Sequence, residues 1–419
     1  MGRRKLLILG HSWPEPNATG AGVRMMQLIQ YFKESNWDLT FASASAKSDK
    51  AADLEALGIN FQPIQVNDDN FDTFLQSLQP DMVLFDRFIT EEQFGWRVAD
   101  NLPDCIRLLD TEDLHSLRLA RRKAVEQNKS FELTDWFRLE QTKRELASIY
   151  RCDLSLIISK EEIKLLEDHL QVPTAILHYL PFWTREEVEV SLENPEYSSR
   201  EGFVFIGTGR HQPNLDAIQY MCDSIWPNIR EIMPSARVDI YGAYLPDSVK
   251  SLNNPKLGFY VKGYIENADM VMSQAKMNLI PLRYGAGLKG KLLIAFENGT
   301  PSICTSIGAE GFMDQDFASK FVFDEPMEFA NEAVRLYKSE KEWSLRQQLG
   351  FEILRTKFNK HHFQKEFSKT LERLRDHLQE HRTQNFVGAM LQYHSLRASK
   401  YLSKWITLKN ELKRGDERT

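Results

Sequence analysis

The stretch MNLIPLRYGAGLKGK, from Met277 to Lys291, runs an apolar segment into three glycines and three cations, just ahead of a segment patterned as a helix. A short apolar run of this kind suits a strand covered on both faces, as in a parallel sheet flanked by helices. Where such a strand hands over to a helix, unpaired backbone N–H groups attract anions. Gly285, Gly287 and Gly290 let a backbone approach a phosphate without Cβ clashes, while Arg283, Lys289 and Lys291 supply neutralising charge. The alternative reading is a glycine turn with solvated lysines. The P-loop pattern GxxxxGK[ST] is absent, so a Walker A site is excluded.

Working outward, similar runs recur on both sides. LLIL (Leu6 to Leu9), DLTFASA (Asp38 to Ala44), MVLF (Met82 to Phe85), IRLL (Ile106 to Leu109) and LSLII (Leu154 to Ile158) alternate with helical stretches. A polar, acidic segment from Pro181 to Gly202 interrupts the pattern. It then restarts with FVFI (Phe203 to Ile206), RVDIYG (Arg237 to Gly242), KLGFYVKG (Lys256 to Gly263), the quoted run itself, PSICTS (Pro301 to Ser306) and KFVF (Lys320 to Phe323). The expected class is therefore α/β, with one Rossmann-like doubly wound domain over 1–190 and a second over 200–380. Long charged helices follow Glu340, and 385–419 is expected as an amphipathic helix returning to the first domain. That last segment is rich in Lys and Arg, so an anionic membrane surface is its other reading.

The totals narrow the function classes. A chain of 419 residues suits two domains plus appendages, and 42% hydrophobic with 27% charged residues is ordinary globular composition. A net charge of −6 argues against a general nucleic-acid binder. Cys105, Cys152, Cys222 and Cys304 lie far apart and form no CxxC pair, which points to reduced thiols and a cytoplasmic setting rather than a disulfide framework or zinc knuckle. The apolar run near the start breaks at His11-Ser12-Trp13-Pro14, too short for a signal-peptide core. No uninterrupted apolar stretch is long enough to span a bilayer.

Three more strand ends carry candidate chemistry. After LLIL, Gly20 and Gly22 enter an amphipathic helix through a loop that is not GxGxxG, which removes support for dinucleotide binding. After FVFI come Gly207, Gly209 and Arg210, with a helix expected near Pro213. After PSICTS, Glu310 in IGAEG is placed to accept hydrogen bonds from ribose or sugar hydroxyls. In the first half, RLLDTEDLHSLR gathers Asp110, Glu112, Asp113 and His115 beyond a strand, where such groups orient hydroxyls or stabilise charge. The plainer reading is that Asp110 or Thr111 caps a helix.

Together PEPNATGAGVRMMQLI, LLDTEDLHSLR, CDLSLIISKEE, FIGTGRHQPNLDAIQY, VDIYGAY and the long stretch from VKGYIEN to GAEGF resemble family-4 glycosyltransferases of the GT-B architecture. The resemblance implies two facing Rossmann-like domains and retaining transfer from a nucleotide sugar, most readily a UDP- or GDP-sugar, to a glycan or lipid-linked acceptor. It implies no cofactor and no bound metal, and an acceptor entering from the first domain. Asp113 and His115 are then the expected catalytic residues. Gly20, Gly22, Gly209, Arg210, Gly287, Leu288, Lys289, Lys291 and Glu310 are the expected donor-binding set. Two departures stand out. The family's paired glutamates fall on Ala286 and Ile294, and its second-domain lysine falls at Pro213-Asn214, leaving Arg210. Lys289 and Lys291 are expected to make up the lost charge. A nucleotide-sugar epimerase, or a catalytically silent nucleotide-sugar-binding subunit of a glycan-assembly complex, are the competing readings.

Overall fold

The computed structural model describes residues 3–184, 195–312 and 315–416, with the side chains of 315–317, 394–399 and 410–416 excepted. Part of the polar boundary segment, 185–194, lies outside the described residues.

Two parallel sheets form. The first contains β1 (Lys5–Gly10), β2 (Asp38–Ser43), β3 (Asn60–Pro63), β4 (Met82–Asp86), β5 (Ile106–Asp110), β6 (Leu154–Ile157) and β7 (Leu177–Tyr179), in the order β3-β2-β1-β4-β5-β6-β7. The second contains β8 (Glu201–Ile206), β9 (Val238–Tyr241), β10 (Phe259–Gly263), β11 (Ala275–Ile280) and β12 (Ser302–Cys304), in the order β10-β9-β8-β11-β12. In both sheets the first strand lies inside and the order reverses beside it, at β1/β4 and β8/β11. Such switch points open a crevice at the carboxyl ends of the strands.

Burial follows from this layering. Leu6 to Leu9 and Met82 to Phe85 are almost wholly covered, because helices close both faces. The run KFVF differs from its strand reading. Phe321 ends the helix Gln315–Phe321, and Val322 makes only an isolated bridge to Cys304.

The chain crosses between the domains twice, and the crossings touch. The Thr184 backbone N–H donates to the Phe358 carbonyl at 2.9 Å. Return to the first domain begins earlier than the boundary at 380 expected from sequence. The helix Lys360–Asp376 already packs there, with Phe367 against Tyr31, Phe32 and His178 at centroid distances of 5.0, 5.9 and 5.3 Å. Its charged sequence hid the three buried anchors Phe367, Leu371 and Leu374. The final helix Phe386–Asp416 packs on Arg87–Asn101 and Glu140–Arg151 of the same domain.

Candidate functional site

The cleft is built from loops at the carboxyl ends of both sheets. On the first domain, β5 ends in Asp110, which is fully buried with Arg24 at 3.3 Å. Glu112 follows in a left-handed conformation, φ 63°, and turns the chain into the helix His115–Glu126. That helix has no side-chain cap of its own. Two carboxylates from elsewhere satisfy its first N–H groups: Glu145 accepts from His115 and Ser116 at 2.8 and 3.0 Å, and Glu162 accepts from Leu114 at 2.8 Å. Unpaired N–H groups at a helix start are costly when buried, so this arrangement fixes where His115 sits.

Asp113 is buried and held by Arg118, and its Oδ1 lies 3.4 Å from His115 Nε2. Burial would raise the Asp113 carboxyl, but Arg118, His115 and His211 outweigh it and hold the group at about 2. Burial drives His115 down to about 3 against the pull of Asp113. The result at neutral pH is a carboxylate beside an uncharged imidazole, which can both donate and accept hydrogen bonds to sugar hydroxyls.

On the second domain, Gly290–Glu297 forms the helix expected after the glycine loop, with Lys289 at its N-cap position. The Lys291 ammonium donates to Asn214 Oδ1 at 2.6 Å and lies over the Phe205 ring at 4.4 Å. Burial, and then the neighbouring charge of Lys289, bring Lys291 down to about 7. Lys289 is more enclosed. Its ammonium folds back onto the Gly287 and Ala286 carbonyls at 2.7 and 3.2 Å, and burial lowers its pKa. His211, which burial lowers to about 3, lies within electrostatic reach of Asp113 and Arg118 on one side and of Lys289 and Lys291 on the other. It therefore marks the meeting point of the two halves.

The domains touch directly across this point. Gly287 has φ 64°, and a Cβ there would lie 2.8 Å from Asp113 Cβ and 2.9 Å from Ile158 Cδ1. Arg121 makes a two-pronged pair with Glu310, both distances 2.6 Å, and also donates to the Gly285 carbonyl at 2.8 Å. Burial works to raise the Glu310 carboxyl, but Arg121 and Lys289 prevail and keep it below its ordinary value. Arg210 stacks 3.5 Å over the Tyr244 ring and reaches buried Glu15 at 3.3 Å, where the Tyr244 hydroxyl also donates at 3.1 Å.

The candidates fall into three groups. Asp113, His115, Gly287, Leu288, Lys289 and Lys291 converge where the glycine loop meets the first domain. Arg210 and Glu310 make interdomain ion pairs. Gly20 opens the helix Gly20–Glu34, Gly22 packs on the backbone of Glu15, and Gly209 packs on the backbone of Tyr244. Sequence reasoning missed His211, Glu15 and Tyr244. His211 directly follows Gly209-Arg210, so its position after β8 was a usable signal. Glu15 and Tyr244 had none, since only the tertiary fold brings them together. Among the described residues, no group of three or more His, Cys, Asp or Glu side chains is placed to hold a metal ion.

The geometry agrees with comparison to known proteins. Residues 201–339 match the family model described as glycosyl transferases group 1. A sucrose-phosphate synthase from Thermosynechococcus elongatus superposes with a TM-score of 0.64 at 13% identity, over 89% of this chain and 99% of that one. TarM of S. aureus gives 0.67 at 9% identity, over 88% and 99%. HepE of Anabaena, in complex with UDP and glucose, gives 0.62 at 12% identity, over 88% and 100%. A search of curated protein sequences gave no match. The architecture is the GT-B glycosyltransferase fold, with two parallel-sheet domains and a helical C-terminal segment.

Proposed function

We propose that the chain is a glycosyltransferase that moves a sugar from a UDP- or GDP-sugar to a glycan or lipid-linked acceptor, with retention of configuration and without a metal ion, in polysaccharide or glycoconjugate biosynthesis. The observation that carries this reading is Lys291, a half-buried cation at the start of a helix that follows a glycine loop, the loop itself pressing at Gly287 against Asp113 of the first domain. A diphosphate leaving group develops negative charge as the sugar departs. Cations and helix N–H groups aimed at it lower the barrier where that charge appears. Neutral His115 and ionised Asp113 then orient the sugar or acceptor hydroxyls, and domain closure excludes water. Support also comes from the family match over 201–339 and from the fold shared with HepE, whose structure holds UDP and glucose, and with TarM, of which a mutant structure holds UDP and α-GlcNAc-glycerol.

A second reading, donor binding without transfer, is favoured by one observation: apolar Ala286 and Ile294 stand where the family's glutamates are expected. Incubation with a panel of UDP- and GDP-sugars in the presence of a chelator separates the two. Nucleoside diphosphate release with sugar appearing on an acceptor supports transfer, and NMR of the new linkage reads retention. Binding with neither release nor product would establish the silent reading.

A further inference from the structure

The final helix Phe386–Asp416 is inside out. A surface helix on a globular protein ordinarily buries its apolar face and shows its polar one. Here the described side chains facing the protein are mostly small or polar, with Leu391 and Ile406 only half-buried among them. Ser403 is 4% exposed and lies 3.4 Å from Arg97 Nη2. Thr407 Oγ1 donates to the Asn67 carbonyl at 2.8 Å, and Gln392 Nε2 donates to the Arg151 carbonyl at 2.8 Å. Lys400 pairs with Asp100. These contacts seat the helix on Arg87–Asn101, Glu140–Arg151 and the loop at Asn67.

The face turned to solvent is apolar. Eight of the sixteen large apolar side chains exposed among the described residues belong to this one helix, including Phe386, Met390, Tyr401, Leu402, Trp405 and Leu408. Exposures run from 41% at Val387 to 73% at Phe386. A concentration of this kind marks an interaction surface rather than scattered surface residues. Its composition also indicates the partner. Trp and Tyr side chains are amphipathic and settle at the headgroup level of a bilayer, while lysines keep their ammonium groups at the lipid phosphates. Lys404 and Lys409 are exposed among these side chains, with Lys409 lying 5.0 Å over the Trp405 ring. Among the described side chains of the helix, at 386–393 and 400–409, there is no Asp or Glu. The described face of the helix therefore offers an anionic surface cations and apolar groups together, while the neighbouring carboxylates Asp69 and Asp100 are each paired with a cation, Arg97 and Lys400.

A second copy of the chain is less well matched. A coiled-coil seam through Phe386, Met390 and Tyr393 runs on into Lys400 and Lys404, and one through Val387, Tyr401, Trp405 and Leu408 is flanked by exposed Lys404 and Lys409, so two like copies would bring these cations together whereas an anionic surface would pair them. No described helix is long and apolar enough to cross a membrane, so the contact is with the membrane face.

We propose that the exposed face of Phe386–Asp416 is a docking surface for an anionic lipid bilayer. It uses no residue of the cleft and stands independently of the catalytic reading. One consequence does rest on that reading: the domain carried to the bilayer is the one expected to receive the acceptor.

The test is co-sedimentation of the full chain with vesicles of phosphatidylcholine containing phosphatidylglycerol, against vesicles of phosphatidylcholine alone. The expected result is binding to the mixed vesicles only. The double variant Lys404→Ala/Lys409→Ala is expected to bind about thirtyfold more weakly, the scale for two cations near an anionic surface. Trp405→Ser/Leu408→Ser is expected to abolish sedimentation with an unchanged thermal melt, since both side chains are exposed. The proposal is overturned if wild type sediments with neither vesicle, if both double variants bind like wild type, or if the chain is a dimer that Trp405→Ser/Leu408→Ser converts to a monomer. None of these readouts involves donor turnover, so failure here and failure of the transfer reading are distinguishable.

Discussion

Lys291 and Asn214 share one hydrogen bond of 2.6 Å, and Asn214 occupies the place where the resemblance expects a lysine. On the proposed reading, Lys291 on the helix after β11 supplies the charge that the resemblance expects at Pro213-Asn214 on the helix after β8, and the bond to Asn214 brings its ammonium to that helix. Lys291→Ala is accordingly expected to lower donor turnover by about 10²-fold, the scale for losing one charge-stabilising group. Adding Asn214→Lys to that variant is expected to recover a substantial part, since it returns a cation to the same corner. Steady-state kinetics of the single and double variants check this. A double variant no better than Lys291→Ala would break the equivalence.

Lys291 also sets a pH dependence. Its folded value of about 7 lies below the ordinary lysine range. Between about pH 7 and pH 10 the unfolded chain therefore binds more protons at this position than the folded one, and its contribution to stability rises with pH across that window. Below about pH 7 both states carry the charge and the burial penalty is complete. Lys291→Met is thus expected to raise the melting temperature, by more near pH 7 than near pH 10. Thermal melts of both proteins across this range decide the point, and an equal difference at every pH would contradict it.

The Arg121 and Glu310 pair is an interdomain clasp. Both side chains are mostly buried, at 11% and 19% exposure, so removing either leaves a charge without its partner. Glu310→Ala is expected to destabilise the chain by about 1–3 kcal/mol. It is also expected to increase the radius of gyration in small-angle scattering as the cleft opens. An unchanged scattering profile would mean that the other interdomain contacts suffice.

Gly287 makes closure possible. Its φ of 64° suits glycine, and a Cβ at that point would press on Asp113 and Ile158 from the other domain. Gly287→Val is expected to cost about 1–3 kcal/mol and to reduce turnover more than donor binding to the open form. Separate measurement of kcat and UDP affinity tests this ordering.

The strands most legible in the sequence were those buried on both faces, although the half-covered β9 and β10 were also read, from RVDIYG and KLGFYVKG. Leu6 to Leu9, Met82 to Phe85 and Met277 to Leu282 each gave a dense apolar run because helices cover both sides. The two edge strands of the first sheet, β3 and β7, escaped for the opposite reason. All four residues of β3 are exposed, and β7 has only Leu177 buried. KFVF misled because Phe321 and Val322 are apolar for packing at a helix end, where period alone does not separate helix from strand. At the site, the glycine loop and the Asp113–His115 segment were visible as local motifs. The partners of Arg210, Glu310 and Lys291 were not: Glu15 and Arg121 reach the first two only by the docking of two domains, and Asn214 reaches Lys291 only because β8 and β11 pair in the second sheet.

On the proposed function, the corner around Lys291 holds the diphosphate of a nucleotide sugar. Calorimetric titration of UDP and of GDP into wild type and Lys291→Ala decides whether it does. Saturable binding of at least one nucleotide by wild type is expected, with affinity at least about tenfold weaker in the variant and with proton uptake above pH 7 as the bound diphosphate recharges Lys291. Equal affinity in the two proteins, or no binding of either nucleotide by wild type, would contradict it.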